Sequence, residues 1–316
     1  MDHQWLWVSG TTPDWPPKQL YFLDGLRTLS YKLNRAGMSA SQRGDMSQLL
    51  ITKVLEIING VETRVVNYDS IDSLSEAVKG QDAVIDCTVS IDGDSHIHLM
   101  DAAAATGVYR FIPSEFSFDP TNKNRCSIPV FTGKCRAFEH IRQLAERGKI
   151  TYTTISNGAF LDWNLKTGFM NIDLNKRTIA LLNDGKVSIA WTTLDSVGKA
   201  TAAALLNPRE TENKALYIYS IQKSQREVAD IAQEALGKDG WKITSVDMEK
   251  VFAKALDDFR TGHVSFQVMG DLIRYGNSRP DYGFPWRKDD NELLDVKALD
   301  DEEVKQLIQD IASQAV

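Results

Sequence analysis

No run of about 18 apolar residues occurs anywhere in the chain, so no helix in it is expected to span a bilayer. Nor does a basic start lead into a long apolar stretch, although Trp5, Trp7 and Trp15 crowd the first fifteen residues. A secretory signal is therefore not expected, and a cytoplasmic location is. No Lys/Arg run appears, and 36 basic against 43 acidic side chains leave a formal charge of −7. Phosphate backbones find no basic track here, which excludes nucleic acid as an expected partner. Cysteine is scarce: Cys87, Cys126 and Cys135 are an odd number in a 316-residue chain that needs no staples, and reduced thiols are the expectation. Internal repeats and low-complexity segments are missing too.

What is present is ordinary globular material, 42% apolar and 25% charged, long enough for a sizeable core and about two sub-domains. From about residue 60 to 156, short β-branched runs alternate with helical stretches that end at glycine. Residues 61–66 read as a strand. Ser73 with Glu76 three positions on reads as the capping box of a short helix that stops at Lys79-Gly80. Residues 83–88 read as the next strand, and 96–106 as an Ala-rich helix closed by Gly107. Residues 109–112 follow as a strand and 131–147 as a helix with Gly148 at C′, then 151–156 as a strand. Parallel neighbours need crossover helices, so this rhythm predicts an α/β protein with a doubly wound parallel Rossmann-type sheet.

Beyond 157 the pattern loosens into a helix over 193–206, a strand over 215–219, and a helix over 224–236. Ser224 and Glu227 cap that last helix, and Gly237 ends it. The expected division is a dinucleotide-binding domain over 1–156 and a smaller α+β substrate domain over 157–316, with about 187–236 partly returning to the first.

Residues 1–60 fit this scheme in length but not in chemistry. Strands over 5–8 and 29–34 and a helix over 46–58 could start a β-α-β unit, with a short helix after Pro16-Pro17. Yet the turn reads S-G-T-T-P-D-W-P-P (9–17). A pyrophosphate turn needs glycines so that backbone N–H groups can approach the phosphates. Here prolines remove donors, Asp14 repels phosphate, and a single glycine is left.

At residues 111–119 the run F-I-P-S-E-F-S-F-D closes a strand. It is followed in order by P-V-F-T-G-K (129–134), N-G-A-F-L-D-W-N-L-K-T-G-F (157–169) and T-L-D-S-V-G-K-A (193–200). N-Y-D-S-I-D-S-L (67–74) and K-G-Q-D-A-V (79–84) precede them. Together these resemble the isoflavone-reductase-like, NmrA-like branch of the atypical short-chain dehydrogenases, in detail its fungal members, over about 61–316. The resemblance implies a Rossmann domain that binds NADPH and a reductase acting on a small, often aromatic, secondary metabolite; a monomer and a homodimer are both open. It implies Lys134 as acid/base residue and Arg35 as the contact to the 2′-phosphate. The loop holding Thr88 and Val89 would pass the adenosine half, and Pro113, Ser114, Glu115, Phe116, Asn157, Gly158 and Phe160 would border the nicotinamide. The family's glycine loop has no match.

On its own chemistry, Lys134 opens a helix, where the macrodipole opposes a cation by about 0.3–1 kcal/mol and makes the ammonium readier to release a proton. Burial against Phe116 or Phe131 would act the same way. Glu115 is expected to anchor its loop by accepting backbone N–H bonds. His96 and His98, two apart on a helix, point away from each other and read as core or solvated residues; no metal site is expected. The Y-x-x-x-K spelled by Tyr219 and Lys223 straddles a strand end and a helix start, so it is read as coincidence. Two or three of Phe160, Trp163, Phe169, Trp191, Tyr282, Phe284 and Trp286 are expected to touch a planar ligand.

Two readings stand beside the working reductase. One is a non-catalytic, NmrA-type dinucleotide-binding regulator. In the other, residues 1–60 derive from a mis-assembled first exon.

Overall fold

The computed structural model describes residues 6–8, 64, 66–283 and 285–314. Its main sheet has the order β1 (Leu6–Val8), β2 (Ala83–Ile85), β3 (Arg110–Ile112), β4 (Thr151–Ser156) and β9 (Lys214–Tyr217). The last four run parallel. The first two parallel steps are each made by a helix: α1 (Ile71–Val78) precedes β2, α2 (Asp94–Thr106) joins β2 to β3, and α3 (Thr132–Glu146) joins β3 to β4.

Strand side chains sort by the period of two. Val84, Phe111 and Tyr152 meet Leu74, Val78, Leu99, Met100, Ala103, Phe138 and Ile141 of the three helices on one face. Ile85, Ile112 and Ile155 point to the other face, where α5 (Leu194–Leu206) supplies Val197, Ala200 and Ala204. Both faces are covered, as a doubly wound parallel sheet requires.

Helix stops follow the glycines. Gly107 takes φ +81°, returns its N–H to the Ala103 carbonyl and closes α2, while Gly80 at φ +77° follows α1. The start of α1 corrects the sequence reading. Ser70, not Ser73, is the N-cap and accepts from the Ser73 N–H, while the Ser73 hydroxyl accepts from the Asn67 N–H. Of the strand expected over 61–66, the described residues Arg64 and Val66 lie outside any strand.

The N-terminal edge differs in a way that matters for function. β1 pairs with β2 antiparallel, with Leu6 opposite Ile85 and Val8 opposite Ala83. An antiparallel edge strand cannot open the right-handed parallel β-α-β crossover expected of residues 5–34. The strand expected over 29–34, the helices after Pro16-Pro17 and over 46–58, and Arg35 lie outside the described residues.

The remaining elements build a second layer. β8 (Ser188–Thr192) pairs antiparallel with β10 (Ile221–Ser224) and parallel with β5 (Ala159–Phe160). β7 (Thr178–Leu182) pairs parallel with β11 (Lys242–Val246) and antiparallel with β6 (Ile172–Asp173). Around them pack α4 (Leu161–Thr167), α6 (Gln225–Leu236), α7 (Met248–Arg260), α8 (Phe266–Asn277) and α9 (Asp301–Ser313), with Trp191, Leu272, Val304 and Ile308 in a common core. The expected Ser224/Glu227 capping box is formed in full. Among the described residues no helix is long and apolar enough to cross a membrane.

The cysteines are not all reduced, contrary to expectation. Cys126, in a 3-10 turn (Lys123–Ser127), is bridged to Cys135 in the first turn of α3, with the Cα atoms 6.0 Å apart; Cys87 is free. The odd count carried no information about pairing, because the turn after residue 119 folds Cys126 back onto the helix.

Candidate active site

Because β2, β3 and β4 are parallel, their carboxyl ends lie on one edge, and the loops that leave them meet there. Such an edge is where open α/β sheets bind ligands. The loops are tied to one another directly. The Ser114 hydroxyl donates to the Thr88 carbonyl at 2.8 Å, and the Gly158 N–H donates to the Ser117 carbonyl at 3.0 Å. The Thr192 hydroxyl donates to the Asn157 carbonyl at 2.6 Å. Thr88, Ser114, Asn157 and Gly158 are thus brought together, with buried Pro113 and Phe116 and half-buried Phe160 beside them.

Close backbone approach sets the shape of this edge. Gly158 sits at φ +64°, and a Cβ there would come within 2.1 Å of the Ala190 carbonyl oxygen. Gly133, one residue before Lys134, lies so near the β2 loop that its Cβ would stand 2.4 Å from the Ile91 oxygen and 2.5 Å from the Gly93 nitrogen. Arg136 adds an ion pair to Asp94 at 3.0 Å. The first turn of α3 therefore rests on the loop that leaves β2, and Lys134 is half-buried there. Cys87, at the end of β2, is solvent-accessible yet closely surrounded by protein. That surrounding pushes its thiol up to about 12, and the Lys134 ammonium pulls it the other way.

Two carboxylates near the edge are turned inward, each onto a buried side-chain partner. Glu115 is buried in a two-pronged ion pair with Arg125, whose Nη2 lies 3.2 Å from Oε1. It does not take the backbone N–H bonds expected of it: its partner is a guanidinium ten residues on. Arg125 also lies over the Phe138 ring, 6.0 Å from the centroid.

Asp86 is fully buried and was missed in the sequence. It accepts from the Thr88 hydroxyl at 2.7 Å and the Thr88 N–H at 2.9 Å, and His96 Nδ1 lies 2.6 Å from its other oxygen. His96 is thus a core residue, as expected, but one with a specific partner. The only sequence signal was an Asp at a strand end, ten residues before a helical His.

Burial alone would raise the Asp86 carboxyl, but His96 and Thr88 outweigh it and hold the group below the usual carboxylate range. A group depressed in the folded state contributes stability above its unfolded pKa and loses it as pH falls through the folded one. The stability gap between wild type and Asp86→Asn is therefore expected to be flat above about pH 5 and to shrink below about pH 4. Thermal melts across that range measure it.

Of the remaining expected residues, Val89 is 55% exposed on the loop and Arg35 is outside the described residues. Trp191, Tyr282 and Trp286 are core: the Trp191 indole donates to the Lys223 carbonyl and that of Trp286 to the Ile218 carbonyl. Phe284 is not among the described residues. Phe160, Trp163 and Phe169 remain half-buried, with the Trp163 and Phe169 rings 5.1 Å apart. Phe266, which the sequence did not single out, extends that cluster at 5.7 Å from Phe169 and is 65% exposed.

A parallel sheet covered by helices on both faces, with the loops at its carboxyl edge hydrogen-bonded to one another, defines a Rossmann-type α/β protein. Comparison with known proteins narrows this class. The chain belongs to the NmrA-like family, whose model matches residues 51–279. It is 30% identical to the oxidoreductase aprR of Aspergillus flavus over 72% of this chain and 77% of that protein. It is 31% identical to bifunctional pinoresinol-lariciresinol reductase 2 of Thuja plicata over 58% of this chain and 62% of that one. The leucoanthocyanidin reductase–NADPH complex of Vitis vinifera has the same fold, with a TM-score of 0.64 at 18% identity over 83% of this chain and 88% of that one. By this membership and these relatives the chain is an oxidoreductase.

Proposed function

We propose that this protein is a cytosolic NADPH-dependent reductase of a small aromatic secondary metabolite, with Lys134 as its acid/base residue. The observation that carries the reading is the seat of Lys134: half-buried, on the start of the helix that follows β3, where Gly133 is pressed against the loop that leaves β2. NADPH is the bound compound of a structural relative, and pinoresinol-lariciresinol reductases recur among the relatives.

The described residues suit the nicotinamide end of such a cofactor. Glu115 is buried in its ion pair with Arg125 and Asp86 is buried against Thr88 and His96, so neither carboxylate faces outward toward a phosphate. Asn157 Oδ1 is buried without a hydrogen-bond partner among the described residues, an acceptor suited to a carboxamide N–H donor. The bound cofactor would supply hydride. The chain's own part is then to orient the ring with residues 113–116 and 157–160, to exclude water with Phe160 and Trp163, and to move a proton at Lys134 Nζ to or from the substrate oxygen conjugated to the reacting carbon.

NADPH fluorescence titration, followed by turnover with a panel of aromatic metabolites beginning with pinoresinol, tests this. No binding at millimolar protein, or binding with no turnover across the panel, would count against it. Phosphate binding is the least supported part, since the sequence 9–17 has three prolines and one glycine and β1 runs antiparallel. NADPH affinity is therefore expected to be at least about tenfold weaker, roughly 1.4 kcal/mol, than in a relative with the glycine turn. Parallel titrations of the two proteins decide it. The same edge strand favours a second reading, a regulator that binds dinucleotide without turnover, which the turnover arm separates from the first.

A further inference from the structure

The first turn of α3 is fixed by three constraints of different kinds. Gly133 is wedged against residues 91–93, Arg136 pairs with Asp94, and Cys135 is bonded to Cys126. The first two are packing and charge. The third is covalent, and it lies next in sequence to Lys134. It is also reachable: Cys126 is exposed and Cys135 half-buried. The residue before Cys126 is Arg125, whose buried pair with Glu115 continues into the loop after β3. One bond thus ties the lysine-bearing turn to the Glu115–Arg125 pair beside it.

We propose that the Cys126–Cys135 bond is a reversible thiol–disulfide clamp that sets the position of Lys134. The inference goes beyond the reductase reading and rests on it only for the role of Lys134. In the open form both residues are thiols. A small-molecule disulfide of the glutathione class closes the clamp. The Cys126 thiolate attacks one of its sulfurs, a mixed disulfide forms and one thiol leaves. The Cys135 thiolate then attacks the Cys126 sulfur and releases the second thiol. Two electrons pass from the protein to the small disulfide, and the two protons shed by the cysteines end on the two released thiols. A dithiol reductant reverses the sequence. Opening removes one of the three constraints while Gly133 and Arg136 still hold, so the effect is to loosen the turn and not to unfold it.

The test uses the full chain, poised in mixtures of oxidised and reduced glutathione and then alkylated and mapped by mass spectrometry. The 126–135 pair is expected to close as a single two-electron unit, separately from Cys87. In the two poised states, the acylation rate of the Lys134 amine is followed against pH, together with amide hydrogen exchange of residues 123–138. Opening the clamp is expected to speed exchange of the 131–136 amides by about tenfold, as local openings gain ground. It should also shift the Lys134 acylation profile. The same treatments should leave Cys126→Ser unchanged, with its profile at that of the reduced wild type. Two free thiols at every poise, or identical Lys134 profiles in both states, would overturn the proposal. NADPH titration of both states separates the two ideas: absence of binding in either removes the reductase reading, while the acylation contrast upholds the clamp.

Discussion

Lys134→Ala is expected to lower NADPH-dependent turnover by about 10²–10⁴-fold, the range usual for loss of a positioned proton donor or acceptor. The fold should survive the change. Lys134 is half-buried, and the local close packing is carried by Gly133, whose backbone rests on residues 91–93. Loss of rate without loss of fold is therefore the informative outcome, read as turnover beside a thermal melt. Cofactor affinity should change little if the lysine acts on the substrate, so NADPH titration of the variant forms the second arm. Lys134→Arg sharpens the test, because guanidinium keeps the charge and does not release a proton near neutrality. A charge-only role predicts rescue by arginine, whereas proton transfer predicts none. The pH profile gives the direction of the chemistry. If the lysine donates, rate falls as pH rises through its titration; if it accepts, rate rises. Full activity of Lys134→Ala would end the proposal.

What could be read from the sequence was what short-range physics decides. The stops at Gly80 and Gly107 were legible because positive φ there is a local demand that glycine meets. The Ser224/Glu227 box was legible because both its hydrogen bonds close within three residues. Even locally, two serines three apart compete for one cap. Ser70 won at α1 because the Ser73 hydroxyl is engaged by the Asn67 N–H. The convergence of the loops after β2, β3 and β4 was legible, since parallel strands must deliver their carboxyl ends to one edge. The electrostatics there were not. Whether Glu115 meets backbone amides or Arg125, and whether Asp86 meets His96, depends on how a loop and a helix fold back over the sheet. Neither periodicity nor capping encodes that, and the same holds for Cys126 and Cys135. The antiparallel β1 is likewise a matter of long-range pairing, invisible to a strand-length pattern.

The second large effect is expected at the Glu115–Arg125 pair, where single and double replacements should differ in kind. Both side chains are buried, so neither charge is screened by water. Removing one partner leaves the other uncompensated, and such changes cost about 3–5 kcal/mol. Against a total stability of about 5–15 kcal/mol, Glu115→Met or Arg125→Met alone should sharply lower the urea midpoint. The pair itself need not be net stabilising, because its desolvation offsets most of its attraction. Arg125 already carries one unmet demand, since its Nε is buried without a hydrogen-bond partner among the described residues. Glu115→Met/Arg125→Met should therefore lose far less than the sum of the two singles, leaving a coupling energy of at least about 2 kcal/mol in the cycle. Urea unfolding of all four proteins, with the 126–135 bond kept closed throughout, measures it. Additive losses would mean that the two charges do not act as a unit. If they do, the double variant isolates what the charges contribute to the site. A chain that regains stability but still binds NADPH poorly would mark the pair as holding the 113–116 loop in its ligand-ready shape. Recovery of binding together with stability would mark it as packing that an apolar pair can replace.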